Sequence, residues 1–466
     1  MKIMVMSDIH LGDSDSLFNE NRLEQTFQDL FHCPPEQYPR CDVLILNGDI
    51  LDFAINSFEV SYKMAKPFFQ FVYDNEIAKL VLYVPGNHDR QVWDALQWQV
   101  KVMIPIEKDN DPVALEQINP AFIDFREDGI IHFPMMKHST FNMHTDMSNP
   151  KIGDVFLKGL IDFGDDPHDF KILVAGPMVF INLNTKANQL QPSDLLMIAH
   201  GQHLETGWVF ITELLNGYKL PADPSIGWNE EVKFGNYSLE QLEQYNYLIT
   251  SLIGTDCGQA GEVSRLVYTI ERMVRSQDAT KQEHYRQLFK MLQAAVNNNL
   301  INMFMPYKKG KTFWEKVKDA LSVLWMAPGR GAAKVGLGWM ENLLTPKPDE
   351  ETSKYYVPMI RDPNKPTKRY FHSFFSACNV VLHRHFGESG IITGLPEVPG
   401  KIIFGHTHYC VLDPAQSTVR YKGTPVELYN SGGWLNVGGI DGVIFQIDHD
   451  GIDSSLYHPA PGGARQ

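Results

Sequence analysis

Five short apolar runs set the pattern of the chain: Ile3 to Met6, Val43 to Leu46, Leu80 to Val84, Leu195 to Ile198 and Ile402 to Phe404. Each reads as a buried strand. Between the first three, Asn21 to Phe31 and Ser57 to Tyr73 carry helix-like apolar spacing. Strand and helix thus alternate over residues 1–100, as a βαβ series does, and strands feeding such crossovers pair in parallel. The pattern predicts a layered α/β fold.

Two stretches exceed what that core needs. Asp89 and His200 are separated by 110 residues, with loop signals at Asp109-Asn110-Asp111-Pro112 and Asp165-Asp166-Pro167. Leu204 and Val398 are separated by 193 residues, about the size of a domain. In this second stretch Val263, Leu266, Val267, Ile270, Met273 and Val274 share one helical face, and Tyr285, Leu288, Phe289, Leu292, Ala295 and Val296 repeat the spacing. Such one-faced helices bury that face against something. The expected organisation is a core over residues 1–204 and 398–466, an irregular insertion at about 105–168, and a mostly helical cap over 205–397. Within the cap, residues 306–345 carry seven cations against three anions, interleaved with Trp314, Trp325 and Trp339. That segment can make peripheral contact with anionic lipid or an acyl group; the favoured reading is an ordinary helical hairpin packed on the cap with its lysines in solvent.

Composition narrows the class. At 466 residues, 43% hydrophobic and 21% charged, the chain is an ordinary globular one of about two units. Its net charge of −15 argues against broad nucleic-acid binding, which rests on phosphate neutralisation. The five cysteines are scattered and odd in number, which reads as reduced thiols in the cytoplasm. The apolar start stops at Ser7-Asp8, too short for a signal peptide, and no run reaches the roughly 18 apolar residues of a spanning helix.

The chemistry sits where the apolar runs end. The segments are Asp8-Ile9-His10, Gly48-Asp49 with Asp52, Gly86-Asn87-His88-Asp89, His200-Gly201 and Gly405-His406-Thr407-His408. Strand ends can converge on one rim of a sheet, where open α/β folds build their sites. Carboxylate, imidazole and amide groups without a thiolate suit Mn, Fe or Zn.

This order resembles the calcineurin-like metallophosphoesterases, whose pattern is D-x-H, G-D, G-N-H-D/E, H and G-H-x-H. The resemblance implies an α/β/β/α sandwich and a two-metal site, with Mn the metal expected to support activity in vitro. It implies that Asp8, His10 and His408 hold one metal, that Asn87, His200 and His406 hold the other, and that Asp49 bridges the two. His88 becomes the general acid at the leaving oxygen, and Asp52 the carboxylate that orients it. Tyr429 to Trp434 looks like the strand that follows G-H-x-H in many members. The implied activity is hydrolysis of phosphate mono- or diesters by a metal-bridging hydroxide attacking in line. A catalytically silent scaffold and a nuclease are the alternatives; a scaffold of this type usually loses ligands, and none is missing here.

Other polar residues are open. His203 lies three residues from His200 and is either a group behind the site or facing substrate, or a plain surface histidine. Arg90 either holds a substrate phosphate or forms a surface salt bridge. His138 and His144 read as satisfied or exposed, and His383 and His385 as structural. Protein serine/threonine phosphatases carry Arg-Gly where this chain has Phe53-Ala54, which counts against a phosphoprotein substrate.

Overall fold

The apolar runs become strands within one to two residues of their expected ends. The structure is a computed structural model describing residues 1–204 and 368–456, except 55, 135–139, 150–152, 166, 187–188, 409, 414–416 and 436–441, together with Leu239, Glu240 and Glu243. In chain order the strands are β1 (Ile3–Met6), β2 (Cys41–Asn47), β3 (Ala78–Val84), β4 (Ala121–Asp124) and β5 (Ile130–His132). Next come β6 (Thr140–Asn142), β7 (Lys171–Val174), β8 (Met178–Asn182), β9 (Leu195–Ala199) and β10 (Lys401–Phe404). The last are β11 (Cys410–Val411), β12 (Val419–Tyr421), β13 (Thr424–Ser431), β14 (Val443–Asp448) and β15 (Gly451–Leu456).

They form two sheets. The first runs β15-β14-β1-β2-β3-β7, and its β1, β2, β3 and β7 are parallel, as the βαβ pattern predicts. The second runs β11-β13-β10-β9-β8-β4-β5-β6, with β12 on β13. Helices α1 (Leu23–Phe31) and α2 (Phe58–Asp74) supply the crossovers between β1, β2 and β3. Ser57 caps α2 by accepting from the Val60 N–H at 3.3 Å, which fixes where that helix starts.

Alternation along each strand divides the core into three. From β1, Met4 and Met6 face Phe27 and Leu30 of α1 and Phe68, Phe69 and Val72 of α2. Ile3 and Val5 face the other way, where Val43, Ile45, Leu80 and Leu82 meet Val179, Ile181, Leu196, Ile198 and Ile403 of the second sheet. The far side of that sheet, with Phe180, Met197, Ile402 and Leu428, is covered by the helix Lys368–Val381 and the π-helical turn Leu382–Gly387. Phe375, Leu382 and Phe386 are fully buried there. Each such side chain contributes on the order of 1.5–3 kcal/mol by burial, so packing rather than helix propensity holds this segment. The layers are α/β/β/α.

Two boundaries differ from expectation. The stretch 105–168, read as irregular, contains β4, β5 and β6 of the second sheet. These strands are three or four residues long, too short to show a period. Residues 374–398, placed in the cap up to 397, pack into the core with Phe374, Cys378, Val381, Phe386, Ile392 and Val398 buried together. Amphipathic spacing shows that a face is buried but not against what. The helical faces at 263–274 and 285–296 and the basic segment 306–345 lie outside the described residues. No helix among the described residues is long and apolar enough to cross a membrane.

Candidate metal centre

The five motif segments leave the C-terminal ends of β1, β2 and β3 in the first sheet and β9 and β10 in the second. They meet on one rim. Asp8, His10, Asp49, His406 and His408 all adopt left-handed backbone, with φ between 52° and 69°. For a non-glycine residue that conformation is uncommon and costs on the order of 1–2 kcal/mol. Five such residues in three loops mark backbone bent to aim side chains, as at functional sites.

Glycine supplies room beside them. Gly48 has φ 81°, and a Cβ there would run into the His200 ring. A Cβ on Gly405 would run into the Asp8 carboxylate, and one on Gly433 would stand 2.7 Å from the His408 ring. The motif glycines are therefore where an acid or imidazole lies against backbone.

Side chains collect into overlapping groups whose donor atoms all lie within 4.8 Å of one another: Asp8 with His10 and His408; His10 with Asp52 and His88; Asp49 with His200 and His406. In the first, His10 Nε2 is 3.1 Å from His408 Nε2, which is 3.3 Å from Asp8 Oδ1. In the third, His200 Nε2 is 3.0 Å from Asn87 Oδ1 and 3.1 Å from Asp49 Oδ2. The far ring nitrogens fix the tautomers. His10 Nδ1 donates to Asp52 Oδ2 at 2.7 Å, and His200 Nδ1 donates to the Asn47 carbonyl at 3.0 Å. Both partners are acceptors, so each ring, once neutral, turns its Nε2 lone pair toward other acceptors. Converging lone pairs of nitrogen and oxygen fit divalent cations.

Charge points the same way. Asp8, Asp49, Asp52 and Asp89 are all buried. Burial alone pushes the Asp49 carboxyl up, but the charges of His200, His88 and His10 and the His200 hydrogen bond hold it well below the usual range. Asp8 and Asp52 are lowered likewise against burial, Asp8 by His408 and His200, Asp52 by His88 and His10. Burial works against a charged His200, yet Asp49, Asp8 and Asp89 raise it to about 9. The rim draws positive charge. The Asp49 field reaches both groups, favouring protonated His10 as well as His200.

Residues 1–223 match the family described as calcineurin-like phosphoesterase. The chain carries a calcineurin-like phosphoesterase domain. No curated protein matches it. The phosphoesterase rim brings together all seven sequence-selected ligand candidates, with His88 and Asp52 beside them. Asp52 Oδ1 meets His88 Nδ1 at 3.0 Å, and His88 keeps its Nε2 on the side of Asp49, 4.0 Å from Oδ2. The softer Tyr429–Trp434 signal falls at the end of β13: Asn430 Nδ2 donates to Thr407 Oγ1 at 2.8 Å and so steadies the His406–His408 loop.

Arg90 and His203 stand apart from that group and from the surface. Both are buried, and both bind Glu243. The surface alternatives for these two residues are therefore replaced by a buried ion cluster. His144 is exposed beside Asp128, and His383 Nε2 bonds the Glu397 carbonyl at 3.1 Å. His138 lies outside the described residues.

Sequence reasoning missed two roles. Asp89 accepts from the backbone N–H groups of Gly86 (2.6 Å) and Ile50 (2.8 Å) and from the Tyr83 hydroxyl, tying the β2 and β3 loops together. Burial and the Asp49 charge nevertheless push its carboxyl up to about 6. Its place in the G-N-H-D motif was the available signal. Asp52 braces His10 as well as His88, and nothing in the spacing separates those two tasks.

Proposed function

We propose that this protein is a two-metal phosphoesterase acting on phosphate mono- or diesters. The observation that carries it is the meeting of Nε2 lone pairs and carboxylates in two adjoining groups on one rim. Asp8, His10 and His408 are the proposed holders of one metal, and Asn87, His200 and His406 of the other, with Asp49 contacting both. Bound there, such ions, Mn most readily in vitro, supply Lewis acidity toward phosphoryl oxygens and a nucleophile from water near neutral pH.

The chain's own residues do the rest. Asn87 is a neutral ligand, so it leaves more positive charge for the phosphate than a carboxylate would. His88 donates a proton from Nε2 to the leaving oxygen, and Asp52 on Nδ1 fixes the tautomer and favours the charged, proton-giving ring. The His88 side chain is 16% exposed, which suits a group that must reach substrate. The five cysteines are scattered and odd in number, which supports the reducing cytoplasm as the compartment.

The test is metal analysis of the purified protein, with turnover of aryl and alkyl phosphate mono- and diesters under Mn²⁺. Wild type is expected to hold two metals and turn over at least one class. His88→Ala should keep both metals and slow alkyl esters by about 10²–10⁴-fold, the usual scale of general-acid catalysis, while aryl esters lose far less. Equal loss for both leaving groups removes His88 from the acid role; absence of turnover with both metals bound favours the silent scaffold.

A further inference from the structure

Glu243 belongs to the long stretch between the fourth and fifth motifs, yet it is buried, 1% exposed. Its two oxygens are divided between two loops. Oε2 accepts from Arg90 Nη1 at 2.6 Å, and Oε1 meets His203 Nε2 at 2.6 Å. Arg90 follows Asn87 by three residues, and His203 follows His200 by three. Asn87 Oδ1 and His200 Nε2 are themselves 3.0 Å apart.

The surroundings make the fork rigid. The His203 ring stacks on Phe374 of the helix Lys368–Val381, with centroids 5.0 Å apart and planes at 23°. Arg90 Nη2 reaches the Gln117 carbonyl at 3.4 Å, and its guanidinium lies 5.8 Å from the Trp93 ring. Leu239, four residues before Glu243, is buried in the core beneath the second sheet. A charge-assisted bond at each carboxylate oxygen is strong and directional. Groups behind metal ligands set ligand placement and affinity.

We infer that Glu243 is a positioning residue for the Asn87–His200 metal subsite, clamping the loop after β3 to the loop after β9. The inference rests on the two-metal reading proposed above. It gives the long insertion a hold on the Asn87–His200 subsite, whose two loops carry Arg90 and His203.

Mn²⁺ titrated into metal-stripped full-length protein, with free Mn²⁺ counted by electron paramagnetic resonance, tests it. Wild type should take up two equivalents. Glu243→Ala should weaken one equivalent by about 10–100-fold and leave the other within a few fold of wild type. Glu243→Gln, which keeps the fork's shape, should recover most of that loss. Should the alanine variant fail to fold because Arg90 is left buried without a counter-charge, Arg90→Met with Glu243→Leu removes the fork without a lone charge. The same selective loss is expected of it. Two equivalents of unchanged affinity in the folded variant, or equal weakening of both, overturn the clamp and leave the two-metal reading standing. A wild type that takes up no Mn²⁺ overturns both.

Discussion

His10 and His200 end on the same rim but are braced by different groups. A buried carboxylate, Asp52, stands behind His10, and a backbone carbonyl, that of Asn47, stands behind His200. Both fix the tautomer. Only the carboxylate adds negative charge to the ring and makes it a stronger donor. The His10 side is thus tuned by a side chain that also holds His88, so its metal and the proposed proton donor share one support. The His200 side is tuned by loop geometry, through Asn47 and the Glu243 fork. On the two-metal reading, the comparison couples one metal subsite to the proposed proton donor and the other, through the Glu243 fork, to the insertion.

The largest expected effect erases the difference. Asp49 acts electrostatically on both sides, and on the two-metal reading it contacts both ions. Asp49→Asn should deplete both metals and cut turnover by at least about 10²-fold, the scale of removing one preorganised electrostatic element. Elemental analysis and initial rates check it together. Depletion of one metal alone would assign Asp49 to a single subsite and leave the two sides independent.

A smaller change should separate them. Asp52→Asn removes the charge behind His10 and His88 while His200 keeps its carbonyl. The equivalent bound by Asp8, His10 and His408 should weaken by about 10–100-fold, and alkyl esters should slow as they do in His88→Ala. Metal titration with the aryl-to-alkyl rate ratio measures both. If the ratio stays at the wild-type value, His88 does not depend on Asp52.

Most of this rim was legible in the sequence, and for a physical reason. The ligand candidates directly follow strands, so a run such as Ile402 to Phe404 fixes where Gly405-His406 must fall. The sandwich's first half was legible too, since α1 and α2 lie between consecutive strands and their spacing stands out. The cover of the second sheet was not. It comes from residues 374–398, after a long insertion, and its Phe374, Phe375 and Cys378 carry no sign of the partner they meet. Likewise β4, with its four buried residues, is too short to declare itself. Glu243 was invisible for the same reason as the late helix: a buried acid at a helical position looks like any solvated glutamate until its partners are placed.

The smallest effect is a pH dependence read at the His200 side. In the metal-free protein His200 is raised to about 9, because the attraction of Asp49, Asp8 and Asp89 exceeds the cost of burying its charge. At pH 7 it therefore carries a second proton, on the Nε2 that a metal would need. Metal binding at pH 7 should expel about one proton from it, so affinity at that subsite should rise by up to about tenfold per pH unit to pH 9 and then flatten. Stability runs in the opposite sense. A histidine raised in the folded state contributes stability that is full below its ordinary value of 6.5 and is lost as pH climbs through about 9. The metal-free protein should melt at lower temperature at pH 9 than at pH 6.5, and Mn²⁺ should remove most of that slope by taking the proton's place. Calorimetric titration in two buffers of different ionisation enthalpy counts the protons released. Glu243→Ala sharpens the test, since it weakens the same subsite while leaving Asp49, Asp8 and Asp89 as the source of the shift. No proton release at pH 7 from a protein that binds two metals would mean that His200 is already neutral, and the field of the three carboxylates would not then be what distinguishes its side of the rim.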